Sequence, residues 1–188
     1  MTAGVITTVE REIKLRFDSP STARDAVDAL GATPTRARRL QDDRLLDWAD
    51  GNLRRRRCTL RVRIENGVSA LTFKGPPQPG LMKVREEIET EITDGRGLLQ
   101  VFEQIGLIVW FRYQKYREEF VRDHVVIAID ETPIGTFVEL EGSEAGITQL
   151  AGALGRSSGD YIVDSYRGLF LKLRDECDLP TTNNMVFD

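Results

Sequence analysis

A strict alternation of charged and apolar side chains along strand-length segments is the feature that most constrains how this chain can fold. Near the N-terminus, Glu10, Glu12 and Lys14 alternate with apolar residues that include Ile13 and Leu15. Side chains two residues apart share one face of a β-strand, so the charged groups point one way and the apolar groups the other. Two carboxylates beside an ammonium suggest chemistry on a metal-bound phosphate, although one such strand alone is more typical of a solvated sheet face.

The same alternation recurs farther along the chain. The charged positions on these later faces are Arg61 and Arg63, Lys74, Arg85, Glu87, Glu89 and Glu91, Lys115 and Arg117, Asp130, and Glu139 and Glu141. The pattern predicts strands at about 5–17, 36–49, 54–65, 68–75, 83–92, 109–121, 124–131 and 135–142. The Asn66-Gly67 pair between two alternating segments predicts a tight hairpin.

Four helices are predicted between these strands. The first has Ser19 or Ser21 as its N-cap and ends near Gly31, and the others span about 95–105, 144–154 and 164–175. The tail, at about 180–188, is predicted to be irregular. No internal repeat or linker is visible, so we expect one domain over residues 1–188, a length that allows a sizeable core.

The helices decide which way the charged faces point. Apolar helix stripes must be covered, and the apolar strand faces are the surfaces available to cover them. The charged faces must then meet elsewhere, and an eight-stranded antiparallel sheet can close on itself and place them inside. We therefore predict an α+β fold, a closed eight-stranded antiparallel β-barrel with a charged lumen and helices packed outside. Such a lumen would be costly to desolvate unless water, metal and a polyanion filled it.

Roles for the lumen residues follow from their chemistry. Basic side chains would clamp phosphates, and the candidates are Lys14, Arg61, Arg63, Lys74, Arg85, Lys115 and Arg117. Acidic side chains would hold Mg²⁺ or Mn²⁺, which prefer oxygen ligands, and the candidates are Glu10, Glu12, Asp130, Glu139 and Glu141.

Composition narrows the possible partners. The net charge of −4 argues against a nucleic-acid polymer as partner, because such domains are usually basic. Two cysteines and a single histidine argue against a disulfide framework and a histidine-based zinc site. No signal segment or membrane-length apolar run is visible, so we expect a cytoplasmic protein without membrane association. A homodimer stays open.

Other motifs are explained more simply by structure than by function. The run from Arg54 to Arg57 is more typical of a solvent-facing strand start or turn than of a polyanion patch. Trp48, Trp110 and Tyr113 are assigned to core or rim packing rather than to stacking on a base.

The ordered set of charged strands resembles a known family. The Glu10-x-Glu12-x-Lys14 pattern is similar to the N-terminal signature of the CYTH domain, also called the triphosphate tunnel metalloenzymes. The motifs that continue the resemblance, in order, are Leu60-Arg-Val-Arg63, Leu71-Thr-Phe-Lys-Gly-Pro76, Arg85-Glu-Glu87, Lys115-Tyr-Arg117, Ala128-Ile-Asp130, Gly135-Thr-Phe-Val-Glu-Leu-Glu141 and Asp164-Ser-Tyr166. The segment Gln41–Asp47 departs from the family, which often has aromatic residues there, so the resemblance implies no contacts to a non-phosphate part of the substrate.

The resemblance implies a metal-dependent enzyme acting on a small triphosphate. Its members hydrolyse inorganic or thiamine triphosphates or convert ATP to cyclic AMP and pyrophosphate. We expect a triphosphatase acting on a substrate such as tripolyphosphate, with adenylate cyclase or a non-catalytic polyphosphate or nucleotide sensor as alternatives. Glu87, Glu89 and Lys115 are the candidate catalytic residues, and the choice between Glu87 and Glu89 for proton transfer stays open.

Overall fold

The structure, a computed structural model, describes residues 6–177 and 182–188. Its strands are β1 (Ile6–Phe17), β2 (Thr33–Trp48), β3 (Thr59–Glu65), β4 (Val68–Lys74), β5 (Lys83–Ile92), β6 (Leu107–Arg122), β7 (Val125–Thr132), β8 (Gly135–Glu141) and β9 (Asn184–Met185). Its helices are α1 (Pro20–Ala29), α2 (Asn52–Arg55), α3 (Gly95–Gln104), α4 (Glu144–Ala153) and α5 (Tyr166–Glu176). Among the described residues, no helix has the length and apolar character needed to cross a membrane.

The first eight strands close into the antiparallel barrel that the alternation predicts. Neighbouring strands follow the order β2-β3-β4-β5-β1-β8-β7-β6, and β6 pairs back with β2 to complete the ring. Long strands make this closure possible, because β1 pairs with β5 through its first half and with β8 through its second half. Closure of the barrel thereby brings the charged faces of the strands together in its interior.

Tight turns join two of the hairpins, and the first is the Asn66-Gly67 turn that the sequence predicts. Asn66 and Gly67 both adopt positive φ, at 43° and 83°, between β3 and β4. Asp123 and His124 do the same, at 50° and 62°, between β6 and β7. Two consecutive left-handed residues match the right-handed twist of the flanking strands and fix the register of each hairpin.

The helices cover the outside of the barrel. α1 and α4 pack against β1, β7 and β8 around fully buried side chains such as Val27, Phe120 and Ile147. α3 packs against β3, β4 and β6, and its Leu98 and Phe102 join the apolar cluster of the buried Val62 and Leu107. Burying each large apolar side chain contributes roughly 1.5–3 kcal/mol, so these contacts stabilise the closed sheet.

α5 packs differently, against the row of side chains that faces the lumen. Phe111 and Tyr113 share the strand face that carries Lys115, and both contact the α5 cluster that contains Tyr166. Met185 of β9 is buried in the same cluster. α5 and the tail therefore seal part of the barrel interior.

Two sequence predictions need correction. The strand predicted at about 54–65 begins only at Thr59, because residues 52–55 form α2. Gly51 adopts φ 73° before this turn, and the buried Asp47 carboxylate accepts hydrogen bonds from the backbone amides of Leu53 and Arg54 at 2.9 and 3.1 Å. The tail is not wholly irregular either, because β9 pairs in parallel with β6 on the edge that β7 has left. Residues 1–5 and 178–181 lie outside the described part of the chain, so the beginning of the first predicted strand and of the tail are not described.

Candidate active site

The interior of the barrel contains a cavity of about 620 Å³ lined by charged side chains from six strands. The predicted site residues on its wall are Glu10, Glu12, Lys14, Arg61, Arg63, Lys74, Arg85, Glu87, Glu89, Lys115, Arg117, Glu139 and Glu141. Because these residues are scattered from position 10 to 141, barrel closure alone brings them together. Asp130 is the one predicted site residue that does not line the cavity.

The first strand places Lys14 between two carboxylates. Its Nζ lies 3.1 Å from Oε1 of Glu12 and 3.3 Å from Oε1 of Glu139 on β8. All three side chains are almost fully buried. Burial disfavours the charged forms, but the mutual attraction outweighs it, so the pKa of Glu12 is lowered and that of Lys14 is raised. These groups are held ionised.

Lys74 makes a second centre at the end of β4. Its Nζ lies 2.7 and 2.8 Å from the two carboxylate oxygens of Glu10 and 2.8 Å from Oε2 of Glu87. One ammonium thus neutralises part of the charge of two carboxylates. Burial, opposed by Lys74 and reinforced by the charges of Glu12 and Glu87, raises the pKa of Glu10.

Glu141 has no ion-pair partner among the described residues. It is exposed to the solvent of the cavity, yet enclosure of the carboxyl group and the nearby charge of Glu10 raise its pKa to about 7. The charges of Glu12 and Glu87 add to this effect, and Lys74 opposes it. The wall around Glu141 therefore has more negative charge than its cations balance.

On the opposite wall, Asp43 of β2 organises two arginines. Its carboxylate binds Arg63 through two hydrogen bonds of 2.9 and 3.2 Å, and Nε of Arg61 lies 3.6 Å away. Asp43 is fully buried, but its attraction to both guanidinium groups outweighs the cost of burial and lowers its pKa to about 2. Arg61 also donates to Oγ1 of Thr72 at 3.0 Å, so its position is fixed from two sides.

Lys115 and Arg117 are anchored from behind by Asp130. The Asp130 carboxylate accepts hydrogen bonds from Nζ of Lys115 at 2.8 Å, from Arg117 at 2.6 and 2.5 Å, and from the Tyr166 hydroxyl at 2.6 Å. Arg117 also contacts Glu139. Burial and the adjacent Arg117 lower the pKa of Lys115 to about 8, although Asp130 and Glu139 oppose the shift. Asp130 therefore holds cations toward the cavity, and its assignment as a metal ligand stays a prediction.

Arg85 and Glu89 complete the predicted set. Nε of Arg85 donates to the carbonyl of Gly75 at 2.8 Å, and its Nη2 lies near the carbonyl oxygens of Arg57 and Lys74. These contacts tie Arg85 to the loop after β4. Glu89 accepts a hydrogen bond from Thr72 at 2.7 Å and leaves 41% of its side chain accessible, so it presents an oxygen to the open part of the cavity.

A family model described as the CYTH domain matches residues 8–166, which contain all of the cavity's charged strands. The chain belongs to the CYTH family. The resemblance seen in the ordered motifs is thereby confirmed.

Relatives of this CYTH protein include both sequences and solved structures. One sequence from Methanocaldococcus jannaschii, named "Putative adenylate cyclase MJ0240", is 30% identical over 142 residues, covering 75% of this chain and 81% of the relative. The structure of the PH1819 protein from Pyrococcus horikoshii OT3 superposes with a TM-score of 0.73 at 25% identity, covering 88% of this chain and 99% of that one. The "Putative adenylyl cyclase HpAC1" from Hippeastrum, described as having a dominant triphosphatase activity, gives a TM-score of 0.64 at 24% identity, covering 87% and 95%. At that identity the likeness concerns the fold.

Three residues that line the CYTH cavity or hold its lining side chains were missed by the sequence predictions. Lys83 lines the wall and its Nζ lies 2.5 Å from Oε1 of Glu12. Its position two residues before Arg85 was the available signal, since the two share a strand face. Asp43 and Tyr166 were missed because their role is to hold other site residues, which only strand pairing and helix packing reveal.

The carboxylates of this CYTH barrel fit a divalent cation by their chemistry. Among the described residues, no three acidic, histidine or cysteine side chains are already arranged around a common point as a metal centre. However, Glu10, Glu12 and Glu141 supply the hard oxygen donors that Mg²⁺ and Mn²⁺ prefer. Burial is the main cause of the raised pKa values of Glu10 and Glu141, and the charges of neighbouring glutamates add to both, a repulsion that a divalent cation would relieve.

Proposed function

We propose that this chain is a divalent-metal-dependent phosphohydrolase that cleaves a phosphoanhydride bond of a triphosphate such as inorganic tripolyphosphate. The supporting observation is that one cavity presents positioned cations on several walls and a separate group of carboxylates around Glu141. A simple anion-binding protein gains nothing from such carboxylates, because they repel its ligand. An enzyme that binds its polyanion together with a cation needs both sets.

The basic residues bind and orient the phosphate chain. Arg61 and Arg63 are fixed by Asp43, and Lys115 and Arg117 are fixed by Asp130, so four cations are held in place before substrate arrives. Phosphoryl transfer depends mainly on positioning and charge stabilisation, and pre-arranged cations supply both. Lys14 and Lys74 give a third contact region, where phosphate oxygens would compete with the carboxylates that now hold them.

Glu10, Glu12 and Glu141 would hold Mg²⁺ or Mn²⁺. Such an ion supplies charge neutralisation at phosphoryl oxygens and a more acidic water molecule. Lys14 and Arg117 contact the Glu139 carboxylate, and Lys14 and Lys83 contact that of Glu12, so a cation bound at either residue would have to displace basic side chains.

Glu89 is the better placed of the two candidate proton acceptors. Glu87 lies 2.8 Å from Nζ of Lys74 and is largely buried, whereas Glu89 accepts a hydrogen bond from Thr72, lies a longer 3.4 Å from Nη2 of Arg61 and leaves 41% of its side chain accessible. In the hydrolysis, the oxygen of water bonds to phosphorus, the bridging P–O bond breaks, and the carboxylate of Glu89 takes a proton from the water. Lys115 faces the same cavity and stabilises the charge that leaves with the departing phosphate.

A class IV adenylate cyclase is the second candidate, and the name of the Methanocaldococcus jannaschii relative favours it. In that reaction the 3′ hydroxyl of ATP would take the place of water and pyrophosphate would leave. The same cations and carboxylates serve either reaction, so the nucleophile decides between them.

The test is a product assay with Mg²⁺ or Mn²⁺ and tripolyphosphate, ATP or thiamine triphosphate. Phosphate release from tripolyphosphate supports the proposal, cyclic AMP with pyrophosphate from ATP supports the cyclase, and tight binding without turnover supports a sensor. Glu10→Gln and Arg61→Gln are each expected to lower kcat/KM by about 10²–10³-fold, by analogy with the loss of one oriented catalytic group. Glu86→Gln is the matched control, because Glu86 is exposed and does not line the cavity.

A further inference from the structure

Arginines form a second basic region at one rim of the cavity, separate from the cations that Asp43 and Asp130 hold. The members of this arginine rim are Arg54, Arg57 and Arg167, and all three line the cavity. Arg54 and Arg57 come from the turn that contains α2, and Arg167 comes from the first turn of α5. Two elements distant in sequence thus place guanidinium groups at the same opening.

Trp110 orders two of these arginines. The guanidinium carbon of Arg54 lies 4.7 Å from the centre of the Trp110 ring, and that of Arg167 lies 4.6 Å from it. Stacking on an indole holds an arginine without using its N–H donors. Because both guanidinium groups stack on the Trp110 ring, the rim presents hydrogen-bond donors rather than a free aromatic surface. Such a surface favours binding of an anion over binding of a nucleobase.

The positive charge of the rim is only partly balanced. Arg54 is paired with Asp47 at 3.0 Å, and Asp164 on the same rim is paired with Lys172 at 2.8 Å. Arg57 and Arg167 have no ion-pair partner among the residues that the structure describes. Burial lowers the pKa of Arg167, and the nearby positive charges of Arg54 and Arg174 lower it further.

Arg57 also sits in an unfavourable backbone conformation. Its φ of 57° is left-handed, a region that non-glycine residues rarely adopt. The turn around it is closed by backbone hydrogen bonds from Arg57 to Arg54 and from Cys58 to Leu53, both 2.9 Å. An arginine at a position where glycine would be less strained is consistent with a use for its side chain.

We propose that the arginine rim binds a phosphate beyond the three held in the barrel, so that this protein prefers linear inorganic polyphosphates of four or more phosphates over tripolyphosphate. The inference rests on the proposed function, since the three inner phosphates must occupy the barrel first. The cavity of about 620 Å³ accords with it, because that volume suits a drug-sized ligand and exceeds what a three-phosphate chain needs.

The proposal is tested by calorimetric titration of the purified protein with tripolyphosphate and with tetrapolyphosphate. The buffer contains a metal chelator, so that the ligands are bound but not hydrolysed. We expect the wild-type protein to bind tetrapolyphosphate about tenfold more tightly, the effect of roughly one charge-assisted contact. In the double variant Arg57→Gly/Arg167→Gln this preference is expected to fall to less than about twofold, an order-of-magnitude estimate on the same basis. The control Arg56→Gln removes a neighbouring exposed arginine that does not line the cavity, and it should keep the preference.

Several results would overturn the rim site. The first is equal wild-type affinity for the two polyphosphates, and the second is a preserved preference in the double variant. The third, from a parallel titration with ATP, is a loss of ATP affinity in the double variant as large as its loss of tetrapolyphosphate affinity. Thermal unfolding checks the fold, and Arg57→Gly is expected to be well tolerated because glycine adopts positive φ without strain. If tripolyphosphate is hydrolysed but the preference is absent, only the rim site fails. If the preference is present without hydrolysis, the proposed function fails and the rim site stands.

Discussion

Asp43 and Arg63 form a two-pronged ion pair, with distances of 2.9 and 3.2 Å, in the wall of a cavity otherwise suited to bind phosphate. The carboxylate is fully buried and also lies 3.6 Å from Nε of Arg61. A carboxylate beside a phosphate site would repel the substrate unless the neighbouring arginines neutralised its charge. Asp43 is therefore a positioning residue rather than a group that contacts substrate.

Replacing Asp43 with Asn should weaken substrate binding more than it slows the chemical step. The two arginines would lose their common anchor, so we expect KM for tripolyphosphate to rise by roughly tenfold, about the worth of one charge-assisted hydrogen bond, with a smaller change in kcat. Steady-state kinetics measure the split between the two constants. Asp42→Asn is the control, because the neighbouring Asp42 pairs with Arg112, which does not line the cavity. A fall in kcat with KM preserved would contradict the positioning role.

The same ion pair should make stability depend on acid. The folded pKa of Asp43, about 2, lies below its ordinary value of 3.8, so its ionisation stabilises the fold above about pH 4. That stability, on the order of 2 kcal/mol, is lost as the pH falls from 4 toward 2. Urea unfolding at pH 6 and pH 3 should show a smaller loss of unfolding free energy in Asp43→Asn than in the wild type. An identical pH dependence in both proteins would rule this contribution out.

Most of the barrel was predictable from the sequence because its strands are amphipathic with a period of two. The predicted strand at 83–92 matches β5 in both bounds, and the other strands apart from β3 differ by up to three residues at an end. α2 was missed because its turn depends on Asp47 accepting backbone hydrogen bonds. β9 was missed because its two residues are ordered by the burial of Met185 rather than by any local pattern.

The candidate site was predictable in its faces but not in its pairings. Alternation shows that Glu10 and Lys74 both face the lumen, yet only strand order brings these residues, 64 positions apart, to 2.7 Å. The same holds for Asp130, whose acidic side chain suggested a metal ligand. Its neighbours Lys115, Arg117 and Tyr166 are set by the pairing of β6 with β7 and by the packing of α5. Sequence alone does not contain those distances.

Lys115 should give substrate binding a specific pH dependence. Its pKa of about 8 means that its ammonium is protonated below pH 8 and loses its charge as the pH rises above it. We expect tripolyphosphate affinity to weaken by about tenfold per pH unit at most over that range, the limit for one titrating group. Lys115→Arg keeps its charge and should remove this step, so comparing the two proteins cancels the titration of the ligand itself. Parallel curves for both proteins would show that Lys115 does not contribute the step.

Tyr166 should tie α5 to the barrel without taking part in the chemistry. Its hydroxyl donates to Asp130 at 2.6 Å, so Tyr166→Phe leaves one buried carboxylate oxygen with fewer donors and should cost about 1–3 kcal/mol of unfolding free energy. Lys115 and Arg117 still hold Asp130, so kcat/KM is expected to fall by only a fewfold. Tyr161→Phe, at a half-buried tyrosine outside the cavity lining, is the control. A loss of activity as large as that of Arg61→Gln with stability preserved would instead place Tyr166 in the reaction.

Glu141 should set the metal requirement. Its carboxylate has no ion-pair partner in the described residues, and burial together with the charges of Glu10, Glu12 and Glu87 raises its pKa to about 7. A bound divalent cation would supply the positive charge that this carboxylate lacks. Glu141→Gln is expected to raise the Mg²⁺ or Mn²⁺ concentration needed for half-maximal activity by roughly 10–100-fold, the scale on which metal sites respond to a lost supporting group. Glu91→Gln is the matched control, because Glu91 is an exposed strand carboxylate that does not line the cavity. Direct titration of Mn²⁺ by electron paramagnetic resonance measures the same affinity without substrate. An Mn²⁺ affinity equal in Glu141→Gln and wild type would remove Glu141 from the metal site and leave Glu10 and Glu12 as its candidates.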